Sequence, residues 1–251
     1  MVILNDDDKL TLARFSDLEE LCKKKKTPQF SQFLDPKEVM LFKKVYSPSA
    51  FVNTEVFGGF EDSERKIAGF FPDFLEADER EFPISVIKIE GAEEKSHRDF
   101  LGSLMGLGIK RSSVGDIVTA DENAYVFVTD VICDYILLNL SKIGRQKVKL
   151  TKLLPEEVTI SPKEFEEVFV TCASLRLDAV ISTAMHFSRS KALELIEREL
   201  VSVNWQVQKS PSKEVKEGDS LTVRGYGRFM VGEILGETKK GRLKIQLKKD
   251  K

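Results

Sequence analysis

The chain has 251 residues, 41% hydrophobic and 32% charged, with a formal net charge of −2. That length accommodates two or three small globular domains, and no stretch approaches the roughly 18 apolar residues a membrane helix needs. The opening Met1-Val-Ile-Leu-Asn-Asp-Asp-Asp8 lacks the basic leader and long apolar run of a signal peptide, so a cytoplasmic protein with no membrane partner is expected. Cys22, Cys133 and Cys172 are far apart and fit buried thiols in a reducing compartment. With only His97 and His186 beside them, they form no zinc pattern, and no metal or cofactor is expected. The charge is uneven: from Thr171 to the end there are 16 Lys and Arg against 10 Asp and Glu, while residues 1–170 hold 23 against 31. An acidic body joined to a basic C-terminal module points to a polyanionic partner for the module, against the plainer reading of ordinary surface charge.

The spacing of Leu10, Ala13, Leu18 and Leu21 predicts a helix over residues 6–26, with Lys23 to Lys26 at its C-terminal end, where the helix dipole favours cations. Pro28 ends it. Asp35 and Pro36 suit the N-cap and first position of a second helix carrying Val39, Met40, Phe42 and Val45. From Phe51 the period changes to two, and residues 51–57 and 65–71 predict a β-hairpin. Its aromatics Phe57, Phe60, Phe70 and Phe71 have the chemistry to stack on bases, but a core role is favoured. The acidic run from Glu76 to Glu81 marks a boundary, so a first domain is expected over residues 1–78.

Residues 80–157 form the next expected domain. Ile84 to Ile89 is a strand, Ser96 caps a helix over His97 to Leu107, and Gly115 to Thr119 and Tyr125 to Val128 are strands joined through Asp121-Glu-Asn123. A helix opening at Asp130 or Val131 carries Ile132, Ile136, Leu137, Leu140 and Ile143 and closes at Gly144, and Lys147 to Leu153 is the last strand. The order β-α-β-β-α-β is the ferredoxin-like pattern, shared by RNA-recognition domains, enzymes and ligand sensors alike. The aromatic signature of an RNA-recognition sheet is missing from the expected strands. Pro155 to Phe169 reads as a Glu-rich connector.

The third domain, residues 171–251, carries the basic module. Ser174 is the expected N-cap of a helix with Leu177, Val180, Ile181 and Ala184 on one face, and Asp178 falls in its first turn. Ser188 caps a second helix whose inner face is Ala192, Leu195 and Ile196. The free N–H groups there, with Ser188, Arg189, Ser190 and Lys191, are suited to a phosphate. Arg176 lies at the opening of the first helix, and Arg198, Asn204, Lys209, Arg224 and Arg228 can widen the track. The competing reading makes Arg189 a structural partner of Asp178. A bridged Arg retains further donors for RNA, so the two roles are compatible. Gly225, Gly227 and Gly232 permit tight turns, and residues 228–235 and 242–248 predict a final hairpin.

Arg176-Leu-Asp178, Phe187-Ser-Arg-Ser-Lys-Ala192, Ile196 and Val201-Ser-Val-Asn204 resemble an S4 domain, the αL RNA-binding module. The resemblance departs at Glu199 and Trp205, where that family usually has Gly. Upstream, Ser96-His-Arg-Asp-Phe-Leu-Gly-Ser-Leu-Met-Gly-Leu-Gly-Ile-Lys-Arg111, Val114-Gly-Asp-Ile117, Ala124-Tyr-Val-Phe-Val128, Asp134-Tyr-Ile136 and Lys142-Ile-Gly-Arg145 are similar to the YlmH family, as is the tail segment Val223-Arg-Gly-Tyr-Gly-Arg-Phe229. That resemblance implies RNA binding on the ribosome, with ribosomal RNA and/or tRNA on the large subunit as partner, in rescue of stalled subunits.

The expected fold class is therefore α+β: a small N-terminal α/β-hairpin domain, a ferredoxin-like, RNA-recognition-like middle domain and a C-terminal S4 (αL) domain. The favoured function is a non-enzymatic, monomeric RNA-binding protein. The alternatives are an RNA-modification factor using S4 as a targeting arm and a scaffold in cell division. The first is disfavoured because Asp178 lies inside the S4 helix with no catalytic domain around it. The glycines of residues 102–108 also fall in and after a helix, where no cofactor loop is expected.

Overall fold

The computed structural model describes residues 4–120, 122–161, 165–239 and 241–250. Asp121 of the expected turn, residues 162–164 of the expected connector and Lys240 of the last connection lie outside them. The chain divides into two compact units, Met1–Ser161 and Pro162–Lys251. The boundary expected near residues 78–80 falls inside the first unit.

In that unit, α1 (Asp6–Lys25) starts at Asn5, whose side chain accepts from the Asp8 N–H at 2.8 Å while Asp8 accepts from the Asn5 N–H. β1 (Gln29–Phe30) and α2 (Pro36–Lys44), capped by Asp35, follow. The hairpin of β2 (Val52–Phe57) and β3 (Ile67–Pro72) completes a three-stranded sheet in the order β1-β3-β2. Phe15, Phe42 and Phe70 meet edge-on or tilted, with ring centroids 5.0–6.5 Å apart. Fully burying such rings contributes about 1.5–3 kcal/mol each, so these aromatics bind the helices to the sheet.

The middle segment holds β4 (Ile84–Glu90), α3 (His97–Gly106), β5 (Val114–Ala120), β6 (Asn123–Thr129), α4 (Asp130–Asn139), a small hairpin of β7 (Lys142–Ile143) and β8 (Gln146–Lys147), and β9 (Lys149–Leu153). The sheet order β5-β6-β4-β9, all antiparallel, is the ferredoxin-like arrangement. The helix expected to run to Gly144 ends at Asn139. Leu140 and Ile143 turn inward to the core, and Gly144, at φ +60°, makes the reversal of the β7–β8 hairpin.

Both faces of this sheet are covered. Ile87, Ile89, Val126 and Val128 pack under α3 and α4 with Phe100, Leu104 and Ile136. The alternate residues Val86 and Phe127 join Phe33, Phe57, Ile67 and Phe71 from the N-terminal segment. Gly59 and Gly115 allow that close approach: a Cβ on Gly59 would lie 2.3 Å from the Phe127 ring, and one on Gly115 2.6 Å from the Phe33 ring. Arg65, largely buried, donates to the carbonyls of Val114 and Phe33 at 3.0 Å each.

The second unit begins with β10 (Phe165–Cys172), which runs through residues expected to be connector and pairs along its length with β15 (Leu243–Asp250). Its partner lies some seventy residues downstream, so no local pattern marks it as a strand. Between them come α5 (Leu177–Ala184), α6 (Arg189–Glu197), β11 (Val201–Val203), β12 (Gln206–Val207), β13 (Ser220–Val223) and β14 (Gly227–Glu237). The six strands are ordered β10-β15-β14-β13-β11-β12. The helix pair seals one core with them through Leu177, Val180, Ile181, Ala192, Leu195 and Ile196.

Candidate nucleic-acid interface

Helix α5 does not use Ser174 as its cap. Arg176 occupies the cap position without a side-chain cap bond. The first helical N–H groups are instead accepted by backbone carbonyls of a distant loop, Leu177 to Lys213 at 2.8 Å and Asp178 to Pro211 at 3.1 Å. The Arg176 side chain, a donor with no acceptor for those N–H groups, wraps onto Asp178 with Nε at 3.0 Å and Nη2 at 3.3 Å. Arg189, the first residue of α6, reaches the same carboxylate with Nε at 3.1 Å. Asp178 is 2% exposed. Burial pushes its carboxyl up, and the bonds from Arg176 and Arg189 more than offset this, holding it below the ordinary carboxylate value. The two guanidinium side chains remain 44% and 56% exposed. One buried anion thus fixes two cations at the joint of the helix pair, with donors of each left for a ligand. From this position Asp178 orients the two arginines.

Ser188 caps α6 as expected, accepting from the Lys191 N–H at 3.2 Å, and its hydroxyl lies 2.9 Å from that of Ser190. Ser188, Arg189 and Ser190 are exposed at the helix start, where the first N–H groups and the helix dipole favour an anion. Lys191 extends the charge but bonds Glu194 at 3.0 Å, and Arg198 bonds the same Glu194 at 3.1 Å. These two cations flank Glu194 one turn further along the helix.

The other residues proposed for the track are less uniform. Lys209 is exposed and paired with Glu199 at 2.8 Å. Asn204 has its amide committed within the fold, donating to Asp219 at 2.7 Å and accepting from the Ser220 N–H at 3.0 Å. Arg224 is exposed at the end of β13, and its N–H donates to the Leu200 carbonyl, beside the end of α6. Arg228 is half-buried on β14, opposite Thr222.

One pairing was missed in the sequence. Phe187, in the turn between α5 and α6, meets Tyr226 edge-on at 5.0 Å. This contact brings the β13–β14 turn, with Arg224 and Tyr226, against the helix joint. Tyr226 keeps 48% of its surface exposed, so an aromatic face stands beside the cationic cluster. The local signal was an aromatic between two glycines and two arginines, Arg224-Gly-Tyr-Gly-Arg228.

Among the described residues no group of His, Cys, Asp and Glu is placed to hold a metal ion, and no helix is long and apolar enough to cross a membrane. Burial pushes all three thiols up, keeping Cys22, Cys133 and Cys172 protonated.

Comparison with known proteins identifies the domains and the family. Residues 77–157 match a family model described as "Putative RNA-binding domain in YlmH", and residues 175–221 match the S4 domain. The solved structure of the cell division protein ylmH from Streptococcus pneumoniae superposes with a TM-score of 0.53 at 21% identity, covering 62% of this chain and 97% of that one, a likeness of fold. The chain is 34% identical over 226 residues to the ribosome-associated protein quality control protein P2 of Bacillus subtilis, covering 89% of this chain and 88% of that protein. The chain therefore belongs to the YlmH family of S4-domain RNA-binding proteins.

Proposed function

We propose that this protein docks on structured RNA of the large ribosomal subunit, ribosomal RNA and/or tRNA, through the joint of its S4 helix pair, and acts there in ribosome-associated quality control. The carrying observation is the buried Asp178 carboxylate holding Arg176 and Arg189 half-exposed beside the open N-terminus of α6. Two fixed guanidiniums and a helix N-terminus suit phosphate oxygens, and exposed Tyr226 adds a face on which a base can stack. Ser188, Ser190 and Lys191 complete the phosphate site, with Arg198, Lys209, Arg224 and Arg228 widening it. The ribosomal setting is carried over from the name of the Bacillus subtilis relative. The protein works as a cytoplasmic monomer and without catalysis: its thiols are held protonated, and the buried carboxylate at the helix joint is engaged by two arginines.

The test is a salt titration of binding to isolated large subunits. Wild-type affinity should fall steeply with salt, with a slope of about −0.7 to −0.9 per phosphate contacted. The triple variant Arg176→Ala, Arg189→Ala, Lys191→Ala should lose nearly all binding while remaining folded. Unchanged binding in that variant refutes the site.

A further inference from the structure

RNA-recognition domains of the β-α-β-β-α-β order read single strands on the open face of the sheet, where aromatics stack bases. That face does not exist here as a free surface. Val86 and Phe127, its central residues, are fully buried against Phe33, Phe57 and Phe71 of the N-terminal segment. Any nucleic acid that meets this segment must meet another side.

The helical side offers a built alternative. A groove of about 490 Å³ runs between α3 and the β7–β8 hairpin. One wall is α3, which presents Arg98, Gly102 and Gly106 at four-residue spacing, one face of a helix. Both glycines are exposed, and a Cβ on either would meet nothing within 4 Å. The other wall is the hairpin, anchored by Ile143, which is fully buried under the helices, and by the Gly144 N–H, which donates to the Ser103 hydroxyl at 3.2 Å. The hairpin cannot swing away without exposing Ile143, so Lys142 is held on the groove lining, and Arg145 and Lys147 follow it on the same hairpin; all three are exposed.

Charge decides the occupant. From Leu140 to Lys152 the chain holds five Lys or Arg and no acid. Lys149 is paired with Glu90 and Lys152 with Asp134. Among the described residues, Arg98, Lys142, Arg145 and Lys147 form no ion pair. The single acid in the lining, Asp99, accepts from the Ser96 N–H and hydroxyl at the start of α3. No aromatic lines the groove, which leaves it no platform for an unstacked base. Unpaired cations beside a glycine-smoothed helix face fit a phosphate ribbon approaching closely.

The segment matches a model described as a putative RNA-binding domain; we propose that its RNA-binding surface is the groove between α3 and the β7–β8 hairpin, which takes the sugar-phosphate backbone of a base-paired RNA through Arg98 and Lys142 on the groove lining and Arg145 and Lys147 beyond it on the hairpin. It is a contact separate from the S4 helix joint and independent of base sequence.

The experiment measures binding of the full chain to a fluorescein-labelled, base-paired RNA stem-loop by anisotropy across a salt series. Lys142→Glu with Arg145→Glu should lower affinity about tenfold or more and make the salt slope shallower by about 1.5, two phosphate contacts' worth. Gly102→Gln fills the groove at an exposed helical position where Gln is the better helix former. It should lower affinity severalfold with an unchanged or raised thermal midpoint. Lys24→Glu with Lys25→Glu, the same charge reversal at the exposed end of α1, should have little effect. Wild-type affinity and slope in both groove variants, with binding lost in Arg189→Ala, Lys191→Ala, overturns the groove and leaves the S4 site standing. Loss in the groove variants with the S4 variant unaffected supports the groove and overturns the S4 site. A loss as large in the α1 control as in the groove double variant overturns it too, because net charge alone then explains the effect.

Discussion

Replacing Asp178 with Asn changes almost no volume and tests whether one buried charge organises the helix joint. Asp178 accepts three bonds from cationic donors, at 3.0, 3.3 and 3.1 Å. Hydrogen bonds to charged groups contribute about 1.5–3 kcal/mol each when sheltered. Both arginines are about half exposed, so solvent screening pulls each arm toward the ~1 kcal/mol ceiling of exposed ion pairs. An Asn side chain also turns one amide group toward guanidinium donors, leaving a buried clash of donors. The expected loss is about 1–3 kcal/mol in the second unit.

The chain's single tryptophan, Trp205, lies in that unit, so its fluorescence during urea denaturation reports this unit's unfolding. The pH dependence gives an independent check. The folded Asp178 carboxyl lies below its ordinary value of 3.8, so its stabilisation is fully present above that pH and is lost as pH falls through the folded value. The gap between wild type and Asp178→Asn should therefore be widest at neutral pH and should close in acid. RNA affinity should fall about tenfold, because Arg176 and Arg189 lose the anchor that holds them together. An Asn variant within about 0.3 kcal/mol of wild type at neutral pH, with RNA affinity intact, would refute the keystone role.

Three further outcomes follow from specific contacts. Glu199 sits at φ +59° after α6, where the Glu199 N–H bonds Ile196 and the Leu200 N–H bonds Leu195, a Schellman ending that favours glycine. Glu199→Gly should raise the urea midpoint, by about 0.5–1 kcal/mol in stability, despite losing the exposed pair with Lys209. In the first unit, Gly115→Ala pushes a methyl group to within 2.6 Å of the Phe33 ring and should cost about 1–3 kcal/mol, read from thermal melting followed by circular dichroism. Burial raises the Glu19 carboxyl, but bonds from Lys23, Ser49 and Tyr46 outweigh this and lower it to about 2. Its contribution should be present above pH 4.5 and vanish as pH falls toward 2. Glu19→Gln should therefore flatten the acid limb of this unit's stability curve, with the same acid sensitivity in both proteins as the contrary result.

What the sequence disclosed, and what it withheld, divides by range. The starts of α2, α3 and α6 were legible because the caps Asp35, Ser96 and Ser188 act within one turn of their helix, and the spacing of Leu10, Ala13, Leu18 and Leu21 placed α1 within a residue. The α+β class and the S4 module were legible for the same reason: their marks are contiguous residues. Strand β10 was not, because its partner β15 is far away in the chain, and its Glu166 and Glu167, one on each face, come opposite Lys249 and Lys248 only in the folded sheet. The cap of α5 was misplaced at Ser174 because the acceptors come from Pro211 and Lys213, again at long range. The contact of Phe187 with Tyr226 belongs to the same class.

The two departures from the S4 pattern bear on how much of the site survives them. Glu199 and Trp205 both take left-handed backbone angles, +59° and +61°, at positions where glycine is the low-cost residue. The chain adopts the glycine conformation without glycine because the surrounding bonds require it. The Schellman pair fixes Glu199. The side chain of Asn204, itself at φ +49°, bonds Asp219 and the Ser220 N–H and so fixes the turn that contains Trp205. Each left-handed residue costs roughly 1–2 kcal/mol, a local loss set against a core of eighteen buried hydrophobic residues in the same unit. The departures therefore lower stability and leave the geometry in place. The orientation of Arg176 and Arg189 depends on Asp178 and on the packing of α5 against α6, neither of which passes through those two turns.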